Sequence, residues 1–183
     1  ANLGLVYLRM AKYKEAEAQL LKARKIDADD ADISLLLSTV YQMEGKREEA
    51  IAILEQALET EPDHLKILYS LSELYSADSS EPAKESRKKY LQKLVQTDPD
   101  NIVTQIQLTE ILIDESLFDF AIEKMETIKK QFPEFPKESN DYYIATVDFL
   151  REANRDQALV NFTIFHNYLR VSFPYQAGIA KLK

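Results

Sequence analysis

The residues that could do chemistry are few and poorly placed to do it. The only two imidazoles, His64 and His166, lie far apart in a chain of 183 residues. His64 follows Pro62 and Asp63 where a helix should start, a solvent-facing position. His166 sits among aromatics between Asn161 and Arg170, which reads as a packed residue and not as a base. No HExxH, GxSxG or phosphate-loop pattern occurs, and three glycines are too few to build a backbone cradle for phosphate. With no cysteine, disulfides, thiolate chemistry and cysteine-ligated zinc are excluded, while the compartment stays open. Aspartates and glutamates do cluster: Asp27, Asp29, Asp30 and Asp32; Glu59, Glu61 and Asp63; Asp98 and Asp100. A calcium loop would also need its turn glycine and a closing glutamate, and neither is at the required spacing. Carboxylates just ahead of helices instead suit N-caps and the positive end of the helix dipole. Catalytic, cofactor-binding and metal residues are therefore assigned to none, and an enzyme is not expected.

The elements around these residues follow from composition and spacing. Few Gly and Pro, 45% hydrophobic residues and 30% charged ones point to long helices with short connections and a buried core. A net charge of -8 disfavours nucleic acid, and no apolar run is long enough to cross a bilayer. A pattern recurs along the chain. Leu3, Gly4 and Tyr7 return thirty-four residues later as Leu37, Ser38 and Tyr41, and again as Leu71, Ser72 and Tyr75. Leu108, Thr109 and Leu112 follow after thirty-seven. The second halves repeat as Ala16, Leu20 and Ala23; Ala50, Leu54 and Ala57; Arg87, Leu91 and Leu94; and Ala121, Met125 and Ile128. Ala28, Pro62, Pro99 and Pro133 close the units, and three extra residues fall near Ser79–Pro82.

These residues resemble the tetratricopeptide repeat family, strongly over 1–133 and in degenerate form over 139–171. The resemblance implies an all-α fold, a right-handed α–α superhelix (solenoid) of four to five antiparallel helix pairs. One array over 1–183 is expected, with units at about 1–28, 29–62, 63–99, 100–133 and 139–171 and an extension over 172–183. The array reads as a fragment of a longer protein. Helices are predicted at 1–11, 13–26, 30–44, 46–60, 63–77, 82–97, 101–114, 117–131, 139–153 and 155–171, with a short one after Pro174.

In this family the first helix of each pair lines a concave groove. The resemblance therefore implies groove contacts at Ala1, Leu5 and Leu8; Leu35, Thr39 and Gln42; Tyr69, Glu73 and Ser76; Ile106, Glu110 and Ile113; and Tyr143, Val147 and Leu150. The basic clamp of chaperone-docking relatives is missing at these places. The expected partner is a protein or peptide, an apolar helix or extended segment whose charge, if any, is positive. Equally open is a groove filled by packing between first helices or by the tail Pro174–Lys183. The alternative function is a structural subunit that self-associates head to tail through uncapped ends, with Phe162, Phe165, Tyr168, Phe173 and Tyr175 as the interface. A second alternative is a targeting arm of a multidomain enzyme.

Overall fold

The computed structural model describes residues Ala1–Lys183 as eleven α-helices without strands. They are α1 (Asn2–Arg9), α2 (Tyr13–Arg24), α3 (Ala31–Met43), α4 (Arg47–Thr60), α5 (Leu65–Ser76) and α6 (Glu81–Thr97). Then come α7 (Ile102–Asp114), α8 (Phe118–Gln131), α9 (Lys137–Arg151), α10 (Arg155–Leu169) and α11 (Phe173–Leu182). Pro174 stands in the first turn of α11, where its missing N–H costs nothing, so the last helix opens just before the proline and not after it. Successive helices pack as antiparallel pairs, α1 on α2, α3 on α4, α7 on α8 and α9 on α10.

One turn recurs inside the pairs. Ala11, Gly45, Ser116 and Ala153 adopt left-handed backbone, with φ of 55°, 73°, 60° and 54°. The N–H of the following residue reaches back five residues in each case: Lys12 to Tyr7, Lys46 to Tyr41, Leu117 to Leu112 and Asn154 to Phe149. This closure satisfies carbonyls that the helix end leaves free. Between α5 and α6 the turn is replaced. There Asp78 accepts from the Ser80 N–H at 2.9 Å, and those bonds hold its carboxyl below the usual range. A left-handed conformation costs an L-residue about 1 kcal/mol. A Cβ at Gly45 would meet nothing within 4 Å, so only the backbone opposes it. Gly45→Ala should accordingly lose about 1 kcal/mol in urea unfolding, and Ala153→Gly should gain up to about 0.5 kcal/mol.

Helix starts are capped at the same repeat interval. Asp30 Oδ1 accepts from the Ile33 N–H at 3.1 Å, His64 Nδ1 from the Ile67 N–H at 3.3 Å, and Asn101 Oδ1 from the Val103 N–H at 3.1 Å. Only at the first junction is the cap an aspartate of the acidic cluster. At the others the capping position falls one residue beyond Asp63 and Asp100, because an N-cap must point its acceptor along the first turn.

Packing gathers the chain into two compact units, Ala1–Tyr90 and Leu91–Lys183, dividing within α6. The first has fully buried Ala16, Leu20, Leu37, Leu54, Ile67 and Leu71 at its core. A Cβ on Gly4 would stand 2.5 Å from Leu20 Cγ, which explains the small residue there. Arg47 donates to the Leu74 carbonyl from Nε at 3.1 Å and Nη2 at 2.9 Å, capping the end of α5. Glu55 Oε1 accepts from the hydroxyls of Tyr75 and Tyr90, whose rings stack at 5.9 Å. Burial and this carboxylate push both phenols up.

In the second unit the last pair turns back. Helix α9 packs on α8, and α10 packs on α7 as well as α9. Arg155, the first residue of α10, donates to the Asp114 carbonyl at 2.8 Å and pairs with the Asp114 carboxylate at the end of α7. α7 is buried almost all round, Thr104, Gln105 and Thr109 included, and α10 and α11 pack on it beside α8. Phe135, Tyr143, Phe162 and Phe165 form the aromatic centre, with Phe135 edge-on to Phe165 at 5.1 Å.

Candidate protein-binding surface

In the first unit the first helices form a row, α1 against α3 and α3 against α5. Their expected contact residues are distributed unevenly in exposure. Leu5, Leu8, Leu35 and Thr39 are half-buried, and Gln42, Glu73 and Ser76 are exposed, as is Ala1. Tyr69 is the exception, buried at 6% exposure and thus a packing residue. The polar members are tied to their own helices: Thr39 Oγ1 donates to the Leu35 carbonyl at 2.9 Å, Gln42 Nε2 to Ser38 Oγ at 3.3 Å and Ser76 Oγ to the Glu73 carbonyl at 2.7 Å. The surface is therefore an apolar strip through Leu5, Leu8 and Leu35, edged by amide, hydroxyl and one carboxylate.

The second unit does not offer the expected surface. Ile106, Ile113, Val147 and Leu150 are buried, and only Glu110 and Tyr143 keep partial access. The family register places these side chains toward a groove, but here they are enclosed in a unit where α10 and α11 pack on α7, and α8 and α10 pack on α9. The proposed end interface is corrected in the same way. Phe162 and Phe165 have 0% exposure and Tyr175 has 7%, because they fill the centre of the unit. Tyr168 and Phe173 are exposed, at 38% and 85%, with Val171 beside them at 83%.

His166 lies in this packing. Its Nε2 is 2.8 Å from the Tyr175 hydroxyl, and Phe162 flanks the ring. Burial, aided by the charge of Arg170, pulls its pKa down to about 4 from 6.5. The folded state therefore resists a proton that the unfolded chain accepts below about pH 6.5. The stabilisation is complete above that value and is lost as the pH falls toward about 4. Allowing for the ring's partial access to water, the loss is about 2 kcal/mol. Denaturant midpoints at about pH 7.5 and 4.5 should differ by less in His166→Phe than in the parent chain.

An open depression of about 430 Å³ is lined by Asp27, Asp29, Asp30, Asp32, Glu61 and His64, the junction residues of the first unit. A second, of about 480 Å³, runs past Leu117, Phe120, Ile122, Leu150 and Arg151. No three or more His, Asp or Glu side chains converge on a common point for a metal.

Sequence reasoning left open that the tail Pro174–Lys183 fills the groove but did not locate its seat, α11 on α7. Asn101 Nδ2 donates to the Gly178 carbonyl at 3.2 Å, and Lys181 Nζ lies 3.3 Å from Asp98 Oδ2. The available signal was Gly178 itself. A glycine inside a helix costs about 1 kcal/mol against alanine, so one retained there marks a close approach.

Comparison with known proteins follows the same lines. The tetratricopeptide repeat model matches residues 1–30 and 31–64. The chain is 28% identical over 114 residues to the human protein O-mannosyl-transferase TMTC3, covering 62% of this chain and 12% of that protein. It is 23% identical over 162 residues to the bovine BBSome complex member BBS4, covering 84% and 30% respectively. The chain thus spans less than a third of either relative. The crystal structure of YrrB, described as a TPR protein with an unusual peptide-binding site, superposes with a TM-score of 0.64 at 19% identity, covering 98% of this chain and 89% of that one. That of MamA gives 0.64 at 18% identity, covering 91% and 94%. These superpositions identify the fold as the α–α solenoid of stacked helix pairs. Two tetratricopeptide repeats are thus matched in sequence over residues 1–64, and the fold of stacked helix pairs extends over nine-tenths of the chain.

Proposed function

We propose that the chain, working as one repeat array, receives an apolar protein segment along α1, α3 and α5, with Leu5, Leu8 and Leu35 as the strip it covers. The observation that carries this reading is the row of adjacent first helices whose leucines stay half-open while the core leucines beside them are sealed. A helix or extended strand laid across such a row buries its apolar side chains in a few places and needs little else. Glu73 and the acidic net charge favour positive residues flanking the apolar anchors. In YrrB the peptide-binding property belongs to that protein; here it lends support by likeness of fold only. The reading assigns no bond-making step to this segment.

The test uses a phage-displayed peptide selected on the full chain. Leu35→Asp and Leu8→Asp should each weaken its binding about ten-fold or more, with helical content unchanged. Equal affinity in both variants would remove the strip from consideration.

A second reading, a structural subunit of a larger assembly, draws on the exposed Tyr168, Val171 and Phe173 and on the complex membership in the name of BBS4. Sedimentation of the chain against Phe173→Ser decides it, since an assembly surface there would lose self-association or partner capture. The likeness to a much longer transferase keeps the targeting-arm alternative within reach of the same binding assay.

A further inference from the structure

We propose that the corner between the start of α8 and the end of α9 is a docking site for a protein segment carrying an apolar anchor flanked by basic residues. The site lies in the second unit and shares no residue with the strip on α1, α3 and α5.

The chain departs from its own repeat at this corner. In the three other hairpins that share the left-handed turn, the start of the second helix carries side chains ending in a polar or charged group. They are Lys12, Tyr13 and Glu15 at α2, Lys46, Arg47 and Glu49 at α4, and Asn154, Arg155 and Gln157 at α10. At α8 the same places hold Leu117, Phe118 and Phe120. Phe120 is 60% exposed, and the other two are half-buried. A lone exposed apolar residue needs no explanation, but these three adjoin Ile122, Leu150 and Ala153 in one open depression of about 480 Å³.

The first unit shows what closing such a corner takes. Arg47, the first residue of α4, reaches the end of α5, donating to the Leu74 carbonyl and pairing with Asp78 at 3.4 Å. Phe118 holds that place in α8, and a phenyl ring has no donor with which to bridge to the end of α9. The α4–α5 corner is tied shut by hydrogen bonds; the α8–α9 corner stays open, with apolar side chains on both of its walls.

Charge decides what fits there. Residues 114–120 and 148–156 hold six carboxylates and two guanidiniums. Both cations are already engaged, Arg151 with Asp148 at 3.4 Å and Arg155 with Asp114 and, at 3.1 Å, with Asp156. Asp119 stands in the lining itself. The rim is therefore negative, so it attracts Lys or Arg beside the anchor and repels an acidic segment. An aromatic or aliphatic side chain fills the depression, and the flanking cations set its direction.

The experiment uses the full chain and a fluorescein-labelled synthetic peptide of sequence KKLFLKK, read by anisotropy, with EELFLEE as its acidic twin. The basic peptide should bind with a Kd below about 1 mM, and about ten-fold or more tighter than the acidic one. Phe120→Ser should weaken it about ten-fold with helical content unchanged, because that ring is mostly in water in the free chain. Phe118→Arg, which restores the residue type of Arg47, should weaken it to a similar degree. Asp119→Lys should weaken it about five-fold and flatten its dependence on salt. Any of five results overturns the proposal. One is equal affinity in Phe120→Ser and Phe118→Arg, and another is no binding of the basic peptide up to about 1 mM. A third is an acidic twin that binds as well. In the fourth, Leu35→Asp loses the peptide and Phe120→Ser keeps it, which places the peptide on the strip. In the last, the parent chain self-associates in sedimentation and Phe120→Ser does not, which makes a second copy the occupant.

Discussion

Phe165→Ala should lower the stability of the second unit by about 4 kcal/mol, the cost of emptying a fully enclosed phenyl site. The ring has 0% exposure and touches three other aromatics, Phe135 at 5.1 Å, Tyr143 at 5.9 Å and Phe162 at 6.2 Å. Its neighbours are large and rigid, so the cavity will not collapse fully. Lys129 adds to the cluster, its ammonium 4.3 Å from the centre of the Phe135 ring and hydrogen-bonded to the Pro133 carbonyl and Asn140. Guanidinium unfolding followed by circular dichroism measures the effect. A change under about 1 kcal/mol, with altered sedimentation instead, would return Phe165 to the role of a contact between molecules.

Leu37→Ala should lose about 3 kcal/mol, while Leu35→Asp two residues away should lose about 1 kcal/mol or less. Both sit on α3, but the helix turns them to different sides. Leu37 is fully enclosed, whereas Leu35 keeps contact with water. The contrast separates packing from binding on one helix, because the small stability cost at Leu35 should accompany the larger loss of peptide affinity. Comparable unfolding midpoints for the two variants would place Leu35 in the core and weaken its assignment to the strip.

These expectations show how much the chain's order of residues reveals. Helix positions were legible to within a few residues because the first three pairs announce themselves through Leu, a small residue and Tyr at fixed spacing, and the fourth keeps the first two. The small residues have a direct physical cause, seen at Gly4 against Leu20. At Leu5, Leu8 and Leu35 the same register picks out side chains that stay half-open. Its continuation at Ile106, Ile113, Val147 and Leu150 did not hold, since local periodicity reports which side of a helix is apolar and not what comes to cover it. Whether α10 lies beside α7 depends on the path of the linker through Phe132–Pro136, and no short-range pattern encodes that. For Phe162 and Phe165, a row of aromatics looks alike whether it faces a neighbour or its own centre. The cap at His64 was missed because imidazole is an uncommon acceptor where Asp and Asn usually serve.

The turn at Ala11, Gly45, Ser116 and Ala153 makes four of the five hairpins self-timing. Past the three additional residues between α5 and α6, the cap at Asn101 and the closure at Ser116 reappear in step. Length errors are thus absorbed where they arise and are not passed along the series. Ser79 and Ser80, both open to water, mark the point at which an epitope or a fluorescent reporter can be spliced in while the phase on either side is kept.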